Sequence, residues 1–246
     1  MHPNPIDSPT KPTGALHLIP VGVSGSPIDH WLPREVQAQA AKLDHFIAEN
    51  AKTARAFLKL LDLTQPLQNI NIQTLTNKTD DAMLKQWLAP IERGASIGLV
   101  SEAGCPAVAD PGARVVTLAH ELGFLVKPWV GPSSILLGLM ASGLDGQRFA
   151  FHGYAPVKPD ARAKQLKQWE QVSAKQQQTQ ILIETPYRNT ALFQTLLETL
   201  GPRTRLCVAR DVTGDHEWIQ TYPVAKWRQQ KTPELANWPT LFLFQV

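Results

Sequence analysis

Three segments rich in glycine, proline and hydroxyl residues stand where this chain should pass from a strand to a helix, and each is equipped to meet a ligand. The longest, SEAGCPAVADPG at Ser101 to Gly112, follows the compact apolar run Ser96 to Val100. Glycine lets backbone approach a ligand closely, and proline holds an irregular loop in one shape. In open α/β sheets ligands bind in the crevice beyond the carboxyl ends of the strands. A loop of this make-up there is suited to reading a nucleoside through backbone N–H and C=O groups, with Glu102 or Asp110 beside a cationic part of it. An ordinary capped turn accounts for the same residues. The second segment is Gly131-Pro132-Ser133-Ser134, whose hydroxyls either cap a helix or face the same crevice. The third is Glu184-Thr185-Pro186-Tyr187-Arg188, which surface capping explains equally well.

The elements that must position these loops follow from periodicity. Short aliphatic runs alternate with segments of helical spacing, the pattern of an α/β protein. Strands are expected at 15–21, 45–48, 69–75, 96–100 and 124–130, with helices at 52–61, 80–93, from about Pro111 to Gly123, and at 132–143. A second set follows: strands at 148–153, 179–184, 204–210, 217–221 and 240–246, with helices at 160–171 and 188–200. The first sheet should be mainly parallel and the second mixed, because its last strands adjoin without crossover helices. The hinge is expected at Ser142 to Gln147, dividing the chain into a loose tail (1–14), an N-terminal domain (15–144) and a C-terminal domain (145–246).

Bulk properties narrow the class. The chain has 246 residues, 43% hydrophobic and 18% charged, and its mean hydropathy is -0.18. That balance excludes both a disordered chain and a bundle of membrane helices. The near-apolar run Ile135 to Leu144 is too short to span a bilayer. The proline-rich first residues read as neither a signal peptide nor an anchor. Two cysteines, Cys105 and Cys207, form no disulfide framework, which points to a reducing cytoplasm. Cys207 reads as a buried thiol, and Cys105 as a loop thiol. The seven histidines lack metal-ligand spacing, so no metal is expected. A net charge of +3 is compatible with RNA but does not demand it. Neither G-x-G-x-x-G, nor a P-loop, nor a G-x-S-x-G elbow occurs, against a dinucleotide dehydrogenase, an NTPase or a serine hydrolase.

SEAGCPAVADPG resembles the S-D/E-A-G-x-P-x-x-x-D-P-G loop of the rRNA small subunit methyltransferase I family, within the tetrapyrrole methylase superfamily. Four more segments follow in that family's order: VGPSSILLGLMASGL (Val130 to Leu144), RFAFHGYAPVK (Arg148 to Lys158), IETPYR (Ile183 to Arg188) and VARDVT (Val208 to Thr213). Other stretches depart from it. The family's P-T-P-I-G-N-L loop is here Pro20-Val21-Gly22-Val23-Ser24-Gly25-Ser26, and its A-E-D-T-R is Ala48-Glu49-Asn50-Ala51-Lys52-Thr53-Ala54-Arg55. The wording AENAKTARAFLK (Ala48 to Lys59), with SEAGCP and IETPYRN, more closely resembles an uncharacterised branch of SAM-dependent methyltransferases.

The resemblance implies a two-domain tetrapyrrole methylase-like fold with S-adenosylmethionine (SAM) between the domains. Its contacts would be Pro20, Ser101, Glu102, Ala103, Gly104 and Val108, with Asp110 shaping the loop and Ser133 and Ser134 closing one side. Ala209 and Thr240 would add contacts from the second domain. It also implies methyl transfer to RNA, at a ribose 2′-oxygen in the family, and a homodimer. No catalytic base is assigned; Glu49, Glu102, Glu184 and Asp211 are eligible, each with a structural alternative. The helix bearing Lys158, Arg162, Lys164 and Lys167, with Arg188 and Arg210, would neutralise phosphates or form a solvated face. Two other readings remain: a tetrapyrrole-type small-molecule methyltransferase, though the superfamily's G-x-G-P-G-D loop is absent, and a catalytically silent SAM-binding or interaction protein.

Overall fold

A computed structural model describes residues 14–246, so the expected tail lies, apart from Gly14, outside the described residues. The described chain divides into two compact units, one ending at Pro132 and the other beginning at Ser133, with Val23–Ser26 belonging to the second.

In the first unit, β1 (Ala15–Leu18) is followed by α1 (Arg34–Ala40), β2 (His45–Ala48), α2 (Ala51–Leu58), β3 (Asn71–Thr74), α3 (Asp81–Leu88), β4 (Ile97–Val100), α4 (Gly112–Glu121) and β5 (Leu125–Pro128). The five strands are all parallel in the order β3-β2-β4-β1-β5. Alternation along β2 sends Phe46 and Ala48 into one core, with α1 and α2, and Ile47 into the other, with α3 and α4. Burying Phe46 fully contributes about 1.5–3 kcal/mol. Its neighbour on β4 has to be Gly98, since a Cβ there would stand 2.6 Å from the Phe46 ring. Short strands covered on both faces leave their carboxyl ends as the open edge. The connections leaving β1 and β4, adjacent strands, depart there towards opposite flanks.

The second unit holds α5 (Ser134–Ser142), β6 (Phe149–Tyr154), α6 (Pro159–Gln176), β7 (Thr179–Glu184), α7 (Asn189–Thr199), β8 (Arg205–Arg210), β9 (Trp218–Pro223), α8 (Val224–Trp227) and β10 (Thr240–Gln245). Its sheet runs β6-β7-β10-β8-β9, parallel at β6–β7 and antiparallel elsewhere. One face packs under α6, α7 and α8, the other under α5.

That last contact corrects the expected boundary at 144/145. A Cβ at Gly138 of α5 would lie 3.6 Å from Leu241 and 3.7 Å from Ala209, so this helix buries its apolar side on the second sheet. The division therefore falls before α5. Gly143, read as part of a hinge, is the left-handed cap that ends the helix, at φ +68°.

Candidate functional site

At the carboxyl edge of the first sheet the loops after β1, β4 and β5 are locked together. Val21 and Gly104 exchange backbone hydrogen bonds of 3.0 and 3.1 Å, tying the loop after β1 to the loop after β4. Gly104 has φ +70° and is buried, a position where a side chain would be strained. The buried Ser101 hydroxyl reaches the carbonyls of Ala103 and Gly104 at 3.1 and 3.3 Å. Beyond β5, Gly131 packs on the Pro20 ring so closely that a Cβ would lie 2.3 Å from Pro20 Cβ. Pro20, Ser101, Glu102, Ala103, Gly104, Val108 and Asp110 thus all belong to the loops after β1 and β4. Glu102, Ala103 and Val108 are exposed, while Ser101, Gly104 and Pro20 form the buried support.

Asp110 sets the shape of the long loop. Its two oxygens accept the Ala107 N–H at 2.8 Å and the Gly112 N–H at 2.6 Å. Ala107 and Ala109 both stand at positive φ, 66° and 61°, which costs about 1–3 kcal/mol each. Two hydrogen bonds to a charged group contribute about 1.5–3 kcal/mol each, enough to offset that strain. Burial raises the Asp110 pKa, and its two backbone hydrogen bonds act in the opposite direction.

Glu49, just beyond β2, and Glu102 meet at the same edge: the Glu102 N–H points to Glu49 Oε1 at 3.4 Å, and Asn50 Nδ2 donates to Glu102 Oε1 at 3.1 Å. The Glu49 pKa is raised, first by burial, then by the Asp110 and Glu102 charges, against the Glu102 N–H. Every charge acting on Glu49 is negative, so this edge favours a cation. A raised carboxyl pKa means the folded state holds its proton more tightly than the unfolded chain. The destabilisation is absent below the unfolded value, grows as pH rises through the raised one, and is complete above it. Glu49→Gln is therefore expected to stabilise the protein at pH 7, by up to about 0.5 kcal/mol after solvent screening. Thermal melts should lose the difference as pH falls through the carboxyl range.

Elsewhere the structure sorts the remaining residues. Ser133 is the N-cap of α5, yet its side chain makes no capping bond, so the expected cap is not formed there. Ala209 and Thr240 are buried in the second unit. The Ala209 methyl faces α5, and Thr240 Oγ1 donates to the Trp238 carbonyl at 3.0 Å, so their case as cofactor contacts rests on the resemblance alone. Glu184 Oε1 accepts from Thr185 N and Arg188 at 2.7 and 2.6 Å, and its side chain is fully buried. Asp211, also buried, accepts the His216 N–H at 2.9 Å. The Cys105 thiol points to the Pro132 carbonyl at 3.3 Å, and burial raises its pKa. Burial raises Cys207 to about 11.

Arg162 departs from expectation. It is 7% exposed and its Nε donates to Thr195 Oγ1 at 3.1 Å, so it is a packed residue, not a phosphate contact. Its inward spacing with Leu166, Trp169 and Ser173 on α6 was the signal that could have found this. Lys158, Lys164 and Lys167 are exposed. Among the described residues no group of three His, Cys, Asp or Glu could hold a metal ion, and no helix is long and apolar enough to cross a membrane.

Comparison with known proteins adds sequence relatives and fold neighbours. No family model matches the chain. It is 31% identical over 225 residues to the ribosomal RNA small subunit methyltransferase I of Vibrio cholerae, covering 89% of this chain and 73% of the relative. The Synechocystis protein of the same name is 31% identical over 216 residues, covering 86% and 72%. That of Mycobacterium tuberculosis is 31% identical over 182 residues, covering 74% of this chain and 61% of the relative. Among solved structures, the methyltransferase CobJ superposes with a TM-score of 0.62 at 17% identity, over 94% of each chain. Uroporphyrin-III-C-methyltransferase of Thermus thermophilus gives 0.54 at 16% identity, over 95% of this chain and 92% of that one. These two likenesses identify the fold as that of the tetrapyrrole methylases.

Proposed function

The chain belongs to the ribosomal RNA small subunit methyltransferase I family and is an S-adenosylmethionine-dependent methyltransferase; from this premise we propose that its acceptor is RNA of the small ribosomal subunit, methylated at a ribose 2′-oxygen. The observation that carries the reading is the 31% identity to the Vibrio cholerae protein over 89% of this chain. The exposed lysines 158, 164 and 167 support it, being placed to neutralise phosphates.

The loops after β1 and β4 are proposed to hold SAM, with Glu102, Ala103 and Val108 against it and Pro20, Ser101, Gly104 and Asp110 as support; the case for Ser133 and Ser134 rests on the resemblance alone. The acidic edge made by Glu49, Glu102 and Asp110 fits a ligand that carries positive charge. When bound, SAM supplies a methyl group already activated for in-line displacement. The protein has then to align the acceptor oxygen, which supplies up to about 7–11 kcal/mol of the barrier. Of the four eligible bases, Glu184 is committed to Arg188 and Asp211 to its own turn. Glu49 and Glu102 remain open to take the acceptor proton.

Methyl label from SAM, offered to fractionated cell RNA, protein and metabolites, should enter small-subunit rRNA. Label confined to metabolites or protein, or incorporated nowhere, would overturn the reading. The protein is also proposed to act as a cytoplasmic homodimer, as the family resemblance implies. Light scattering should then give twice 27.2 kDa, and a single 27.2 kDa species would refute it.

A further inference from the structure

The second unit contains a cavity of about 520 Å³ that shares no residue with the loops described above. It falls within the size range of small-ligand sites, about 300–1,000 Å³. Trp218, Gln220 and Tyr222 share its β9 wall because residues two apart on a strand face the same way. Trp227 of α8 also lines it and is fixed by its indole N–H, which donates to the Leu206 carbonyl at 2.8 Å. Arg210 enters from β8, anchored by bonds to the carbonyls of His216 at 3.3 Å and Glu234 at 2.9 Å. Its guanidinium carbon lies 5.8 Å from the Trp218 ring centre. Exposed Lys231 stands on the lining, opposed there by one carboxylate, Glu234.

Each part matches one feature of a nucleotide. Aromatic faces accept a base whatever its sequence, a side-chain amide such as Gln220 reads polar edges, and a cation holds phosphate. A purely aliphatic ligand would use neither the exposed Lys231 ammonium nor the Gln220 amide that line the cavity. We propose that this cavity binds one unstacked nucleotide of a single-stranded RNA segment, with its base against Trp218 and Tyr222 and its phosphate towards Lys231. The cavity would act as an accessory subsite for the acceptor RNA, built from residues other than those of the SAM loops. The inference rests on the reading that the acceptor is RNA.

The test uses the full chain and a fluorescein-labelled single-stranded RNA about ten nucleotides long, taken from the small-subunit rRNA and followed by anisotropy. Trp218→Ala is expected to weaken binding about tenfold through loss of one base stack. Because Trp218 also packs against the core, Lys231→Glu provides an independent arm. It is expected to weaken binding and to make its salt dependence shallower by about one phosphate contact. Both variants should bind SAM with unchanged affinity in calorimetry. RNA affinity equal to wild type in both variants would overturn the inference. If label still entered rRNA in that case, the functional reading would stand. Weakened RNA binding in both variants, with no methyl transfer to any RNA by the wild type, would instead support the subsite and remove the assigned activity.

Discussion

Asp110→Ala is expected to weaken SAM binding about 50-fold while leaving most of the fold intact. The carboxylate accepts the N–H groups of Ala107 and Gly112, and it is the counterweight to two alanines held at positive φ. Without it the strain of Ala107 and Ala109 is no longer offset, and the loop relaxes to backbone angles that alanine prefers. Losing about 2–3 kcal/mol of preorganisation corresponds to a fall of roughly 30- to 150-fold in affinity. Global stability should change much less, because the loop lies outside both apolar clusters of the first unit. Asp110→Asn keeps one acceptor oxygen and should fall between the two. Calorimetry with SAM beside thermal melts separates the effects. An Ala variant that binds SAM as wild type does would show that the loop's shape is not what the cofactor reads.

Gly131→Ala is the second large expectation, and it acts through backbone rather than charge. The added Cβ would stand 2.3 Å from Pro20 Cβ and 2.6 Å from Pro20 Cγ. A proline ring has no rotamer by which to withdraw, so the loop after β1 or the loop after β5 must move. Overpacking of this kind costs about 1–3 kcal/mol, which at about 2–4 °C per kcal/mol for a chain of this size is a fall in Tm of roughly 2–12 °C. Because Pro20 leads directly to the Val21–Gly104 bridge, SAM affinity should fall at least about tenfold with it. Gly146→Ala is a matched control, since a Cβ there meets nothing within 4 Å and the residue lies outside the loops proposed to hold SAM. A Gly131→Ala variant that melts and binds like this control would disprove the close packing of the loops.

Much of this architecture can be read from the residues. Strands β2 and β7 lie where alternation and β-branched content place them, at His45–Ala48 and Thr179–Glu184. The parallel first sheet and mixed second sheet follow from which runs have helices between them. Helix α1 was not legible because REVQAQA offers only Val36 as a large apolar residue, and α8 because four residues carry no period. The SAM-loop candidates were legible as a glycine–proline composition, but their support was not. Ala107 and Ala109 carry no signal of positive φ, which ordinarily calls for glycine. Glu49 and Glu102 meet only because β2 and β4 are neighbours, a fact of topology rather than of spacing. The boundary was misplaced for a related reason: α5 is apolar on most sides, so its sequence does not say which sheet it covers. The cavity beside β9 depends on the same kind of long-range pairing, with Arg210 and Trp218 brought opposite each other by the β8–β9 register.

The claim on which the rest depends is that loops at one edge of the first sheet bind a methyl-donating sulfonium nucleoside. Isothermal titration of the intact chain with SAM and with S-adenosylhomocysteine tests it most directly. The account predicts that both bind, one per chain, and that Asp110→Ala weakens both. Absence of binding by either nucleoside, or binding indifferent to Asp110→Ala and Gly131→Ala alike, would contradict it.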